Sequence, residues 1–214
     1  MKLKATTILG VIACTLVIVA VQFALPDSMT IGPVWLIPSV ELLGVPFALA
    51  VAYSKGQESK FLRVIVNLFL GVLVFATVMN AAFLLITLLL GASESGVFLL
   101  LAGFGVLLNN VLSFGLTYWW IDAGGPVARA EGRPFAPDFL FPQQQMDDEK
   151  DWQPSLIDYL YTAYTNIIAF SPTDTMPLTH LVKVLFMIQS STAVLTIVVT
   201  LSRAINLIPD GSFN

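Results

Sequence analysis

Few residues in this chain could do chemistry, and most of them lie inside apolar stretches. Glu41 sits between Pro38 and Pro46 in such a run. An ionisable group at membrane depth costs about 2.5–3.5 kcal/mol on insertion scales and is a functional candidate by default. It could carry a proton or hold an ion, or it could satisfy backbone groups freed by the two prolines. Gln189, Thr192, Thr196, Thr200 and Arg203 are spaced three, four, four and three apart, so on a helix they fall within an arc of about 80°. A stripe of this kind faces protein or water and not lipid. Either it lines a wetted pore, with Arg203 at one mouth, or it bonds neighbouring helices. Asn80, Asn109 and Asn110 read as hydrogen-bonding glue between helices. His180, the only histidine, could sense pH near neutrality or anchor a helix at the membrane interface.

Other chemistries are excluded or unsupported. With one histidine and one cysteine (Cys14), a His-based metal centre or bis-histidine haem cannot form within one chain, nor can an intrachain disulfide. No nucleophile motif, phosphate-binding glycine loop or pair of catalytic carboxylates stands out, so the chain is expected to be no enzyme and to need no metal or cofactor. The formal net charge is −4, and Asp147, Asp148, Glu149 and Asp151 crowd one loop with only Lys150 among them. Without a basic stripe there is no electrostatic footprint for nucleic acid.

The elements that must position these residues are membrane helices. Hydrophobic residues make up 57% of the chain and charged residues 11%, against roughly 25% charged in an average soluble domain. The mean hydropathy is +0.84. A spanning helix needs about 20 mostly apolar residues, and five segments qualify: Thr6–Leu25, Pro33–Tyr53, Val64–Leu90, Val97–Ile121 and Leu178–Ile208. Lys2 and Lys4 before the first run could open a signal peptide, but the run is long enough to span and no good small-x-small site follows, so an uncleaved helix is expected. Val11–Cys14 loosely resembles a lipoprotein box, although a plain buried thiol fits Cys14 better. Trp119 and Trp120 beside Asp122, with Trp35, form an expected interfacial aromatic belt.

Orientation follows from the basic residues. Lys2 and Lys4 precede the first helix, Lys55, Lys60 and Arg63 lie between the second and third, and Arg129 and Arg133 follow the fourth. The loops Pro26–Gly32 and Gly91–Gly96 carry no Lys or Arg. The positive-inside rule then predicts a cytoplasmic N-terminus and a cytoplasmic 122–154 loop in a bacterial inner membrane. That loop holds five of the twelve prolines. Its Gly-Gly-Pro and Phe-Leu-Phe-Pro elements predict an ordered connection packed on the surface, followed by a solvated QQQMDDEKD stretch.

The segment after this loop is the most distinctive. Ser155 followed by Asp158 reads as a capping box behind Pro154, so a helix should start there. Leu156 to Phe170 would measure about 22 Å, short of the ~30 Å hydrocarbon core. It carries Tyr159, Tyr161, Thr162, Tyr164, Thr165 and Asn166, an unusually polar set for a lipid-facing helix. Ser171-Pro172 then stops it, and a final apolar helix follows a polar turn. In spacing, Thr165–Thr179 (TNIIAFSPTDTMPLT) resembles the pore signature of potassium channels, with Asp174, Pro177 and Thr179 at matching positions. The filter departs from that pattern. Ala169-Phe170-Ser171-Pro172-Thr173 stands where Thr-Val-Gly-Tyr-Gly would be, and both glycines are absent. The resemblance therefore implies a pore-loop scaffold without potassium selectivity. Residues 118–208 also resemble an uncharacterised bacterial inner-membrane family through Trp152–Pro154, Asp158–Tyr161 and Ser171–Thr175, which implies no activity.

Taken together, the sequence predicts an all-α polytopic membrane helix bundle with five spanning helices and a short pore-like helix. It divides into a four-helix region (1–121), the connecting loop (122–154) and the pore-like helix, turn and last helix (155–214). Three readings of the short segment stay open: a conducting pore loop, a structural re-entrant loop, and a short spanning helix. The leading expectation is a homo-oligomer in membrane lipid, a tetramer by analogy, passing small cations through a filter-like turn of Ala169, Phe170, Ser171, Pro172, Thr173, Asp174 and Thr175. Gln189, Thr192, Thr196, Thr200 and Arg203 would line the pore. The alternative is a non-conducting scaffold or assembly subunit that binds a protein partner through its 122–154 loop.

Overall fold

The computed structural model of the protein describes residues 5–25, 33, 35–44, 60–90, 96–146, 152–169 and 174–206. Helices dominate: α1 (Ala5–Ala24), α2 (36–44), α3 (Lys60–Leu89), α4 (Gly96–Ile121), the short α5 (Pro126–Ala130), α6 (Leu156–Ile168) and α7 (His180–Asn206). Two short strands, β1 (Phe139–Leu140) and β2 (Met176–Pro177), pair antiparallel. Among the described residues, four helical stretches are long and apolar enough to cross a membrane: Ala5–Ala24, Lys60–Leu89, Val97–Gly124 and His180–Ser202. The protein is a multi-pass helical membrane protein. Of the expected second span only 36–44 is described as helix, and the rest of that segment lies outside the described residues.

Helix α4 is the hub, packing on α1, α3, α6 and α7. Long-range contacts fix the direction of each neighbour. The Thr77 and Ser113 hydroxyls meet at 3.0 Å while Trp120 donates to Asn67 at 2.7 Å, so α3 runs antiparallel to α4. Helix α7 is antiparallel too, because Phe186 packs on Tyr118 while Thr200 packs on Gly103. Helix α1 starts near Leu156, which lies against Gly10, and its last turn delivers Leu25 to a cluster with Leu84, Leu88 and Leu99. Helix α3 begins at the opposite end of the bundle, where Arg63 donates to the Gly124 carbonyl. Helices α1 and α3 therefore point the same way, and α2 falls between them in sequence. Its Gly44 abuts the Phe69 ring of α3 so closely that any side chain there would strike it.

The main core sits where α4, α6 and α7 meet. Phe114, Tyr118, Phe139, Tyr159 and Phe186 are buried together, with tilted and edge-to-face ring contacts, the geometry aromatic quadrupoles favour. A Cβ at Gly115 would lie 3.1 Å from the Leu160 Cα, so the backbone of α6 rests directly on α4. Outward from this core the chain is apolar, as at Leu68, Phe75, Phe104, Leu181, Met187 and Val198. A bundle whose solvent is lipid needs that surface.

Candidate functional site: the α6–α7 module

Helix α6 starts as the sequence predicts. The Asp158 carboxylate accepts from both the backbone N–H and the hydroxyl of Ser155, each at 2.7 Å, closing a capping box at the N-terminus. The helix covers 13 residues, about 20 Å of rise. Its last turn reaches the third turn of α7, where Asn166 meets Gln189. The chain then comes back. Thr175 is buried within 3.3 Å of the Thr162 hydroxyl, the Leu178 N–H donates to the Asp138 carbonyl at 2.8 Å, and the Thr179 hydroxyl donates to the Asp138 carboxylate at 2.8 Å. Thr175 thus lies beside the middle of α6, and Leu178 and Thr179 lie at the end of the bundle where α6 began.

That end is organised by Asp122, the first residue after α4 and itself buried. One of its carboxylate oxygens accepts the Tyr159 hydroxyl; the other accepts the backbone N–H groups of Asp138 (2.8 Å) and Phe139 (3.3 Å). The chain can double back only through left-handed conformations: Ala123 at φ 47°, Gly124 at 76° and Gly125 at 101°. Glycine adopts these freely, and a lone non-glycine residue there is uncommon. Arg129 closes the turn from below. It donates to the carbonyls of Asp122 and Trp119, the latter at 2.7 Å, where the carbonyls of a helix C-terminus run out of intrahelical partners; the Asp122 carbonyl also accepts the Gly125 N–H at 2.8 Å. Its guanidinium also lies 5.1 Å from the centre of the Tyr159 ring. Burial pulls the Arg129 pKa below its ordinary value, and the neighbouring Tyr159 and Asp122 offset part of that. The described part of the connecting loop is therefore a latch, holding the end of α4, the start of α6 and the start of α7 together.

Gln189 is the second organising residue. It is fully buried. Its carbonyl oxygen accepts the Tyr118 hydroxyl at 2.7 Å and the Asn166 amide at 2.8 Å, and its own amide donates to the Ala163 carbonyl at 3.0 Å. The Asn110 amide reaches the Gln189 backbone carbonyl at 3.3 Å. Three helices are joined here with every hydrogen-bonding group of the Gln189 side-chain carbonyl occupied, which is how polar groups at membrane depth are stabilised.

The expected site residues divide between these environments. Of the filter-like turn, Ala169 and Asp174 are exposed and Thr175 is buried, while Phe170, Ser171, Pro172 and Thr173 lie outside the described residues. Of the α7 stripe, Gln189, Thr196 and Thr200 are buried against the chain's own helices and Thr192 is half-buried. The Thr192 and Thr196 hydroxyls bond back to the carbonyls of Ile188 and Thr192, each at 2.8 Å. The side chain of Arg203 lies outside the described residues. Glu41 is buried far from this module in sequence, and its carboxyl accepts the amide of Gln22 on α1. His180 is exposed at the start of α7. The acidic residues 147–151 are outside the described residues.

Sequence reasoning missed the latch. Asp122, Arg129, Asp138 and Tyr159 were legible only as an interfacial charge, loop residues and helix polarity. The available signal was an aspartate at the end of an apolar span, followed by Gly-Gly-Pro. Among the described residues no group of His, Cys, Asp and Glu could hold a metal ion. Compared with protein-family models, with curated proteins and with solved structures, the chain matches none of them.

Proposed function

We propose that this is an oligomeric channel-like membrane protein whose residues 169–175 form a pore-loop constriction for small cations. The observation that carries this reading is the path of the chain through the α6–α7 module. Helix α6 enters from the Asp122 end, reaches about the depth of Gln189, and is followed by a segment that is back at the Asp122 end by Thr179. Irregular backbone at membrane depth survives only where protein or a water-filled cavity satisfies its polar groups. Exposed Asp174 beside that segment would supply a ring of negative charge around an axis. One copy cannot surround an ion, so the function requires a homo-oligomer, with four copies by analogy to pore-loop channels. The constriction in this reading is the turn and not the α7 stripe, because Gln189, Thr196 and Thr200 are buried against helices of their own chain.

The short helix is then re-entrant, and the fifth crossing of this reading is the expected span Pro33–Tyr53, of which only 36–44 is described as helix. Lys60, Arg63, Arg129, Arg133 and Lys183 all belong to elements that start or turn at the Asp122 end, which by the positive-inside rule supports a cytoplasmic position for that end in a bacterial inner membrane. The pore loop would enter from the cytoplasmic side, inverted relative to potassium channels.

The test is a single-particle cryo-EM map of the full-length protein in lipid nanodiscs. A closed ring with residues 169–175 converging on a central axis is the expected result. A monomer, or a ring whose axis is filled by lipid or apolar side chains, overturns the channel reading and leaves the scaffold alternative.

A further inference from the structure

The interface of α3, α4 and α7 contains three buried asparagines whose amides keep open hydrogen-bonding atoms. Thr77 and Ser113 fix the register of α3 against α4. One turn further from the Asp122 end, Asn80 falls on the same stripe of α3 and Asn109 on the facing stripe of α4, three and four residues from that contact. Asn110 follows on α4, turned toward α7, where its amide nitrogen reaches the Gln189 carbonyl. Exposures are 2% for Asn80 and 1% for both Asn109 and Asn110. Four of their polar atoms lack a hydrogen-bond partner among the described residues: Asn80 Nδ2, Asn109 Nδ2, Asn109 Oδ1 and Asn110 Oδ1.

We infer that this cluster is a hydrated site, holding water between Asn80, Asn109 and Asn110 within each chain. The alternative of a dry interface leaves buried amide groups desolvated and unpaired, an arrangement native interiors avoid. The chemistry of the open groups selects the occupant. Both donors and acceptors are unpaired, and water answers both, making about three hydrogen bonds at a typical buried site. A cation would be met by only two amide oxygens, with two N–H donors opposed to it and no carboxylate among these residues to balance its charge. An acyl chain would leave all four atoms unmet. The site sits behind the Gln189 node, since Asn110 belongs to both, so water here would solvate the back of the contact that holds α6 in place. The inference rests on burial within one chain and stands or falls independently of whether residues 169–175 conduct.

The experiment is a cryo-EM map of the wild-type, full-length protein in nanodiscs at a resolution that displays ordered water. Expected are discrete density peaks within hydrogen-bonding distance of the Asn80, Asn109 and Asn110 side chains. Direct amide-to-amide bonds that use up the four open atoms, lipid density in the gap, or closed packing with no peak would each overturn the site. These outcomes are read locally, so they are distinguishable from failure of the ring.

Discussion

The Tyr159 hydroxyl donates to the carboxylate of Asp122, joining residues 37 apart in sequence and tying the first turn of α6 to the residue that follows α4. Both side chains are buried, and the second oxygen of Asp122 simultaneously holds the backbone of the β1 strand. The strand in turn pairs with the segment that leads into α7. One carboxylate therefore coordinates three chain segments, and each can be tested at this point.

Tyr159→Phe keeps the ring in its aromatic cluster and removes only the hydroxyl. The bond is to a carboxylate, so the expected loss is about 1.5–3 kcal/mol of stability, read as earlier thermal unfolding of the protein in detergent. Unfolding unchanged from wild type would mean that Asp122 is held by the loop backbone alone.

Gln189→Leu separates a structural node from a pore lining. As a node, Gln189 when removed leaves behind an unpaired buried Tyr118 hydroxyl and an Asn166 amide with only its longer bond to the Phe186 carbonyl. The expected cost is about 2 kcal/mol or more, measured on solubilised protein whether or not it is oligomeric. A residue that merely faced a water-filled pore would tolerate the change with no loss of thermal stability.

Gln22 and Glu41 are expected to be energetically coupled. Their hydrogen bond joins α1 to α2, and the remaining Glu41 oxygen has no partner among the described residues. Replacing Gln22 by Leu strands a buried carboxyl, whereas replacing both by Leu removes the demand. A double-mutant cycle should therefore give a coupling of about 0.5–3 kcal/mol. Additive single-mutant effects would place the two side chains apart in the folded bundle.

Asp174→Asn addresses the channel reading directly. If exposed Asp174 contributes a ring of charge at the constriction, neutralising it should lower the cation-to-anion permeability ratio in planar-bilayer recordings without abolishing conductance. An unchanged ratio removes Asp174 from that role.

What the sequence alone determined is what depends on local pattern. Apolar length marked α1, α3, α4 and α7, because the hydrocarbon thickness sets how many consecutive apolar residues a span requires. The Ser155–Asp158 spacing marked the start of α6, because a capping box involves only residues three apart. The polar arc on α7 was legible for the same reason, as an arc without a partner. Tertiary structure alone decided what the arc meets: Gln189 turns to Tyr118 and Asn166, 71 and 23 residues away. It also decided that the chain after α6 returns to Asp138 and that Asp122 serves as a latch. Such bonds form between residues brought together only by packing around α4. Hydropathy and helical periodicity carry no information about which buried donor will find which acceptor.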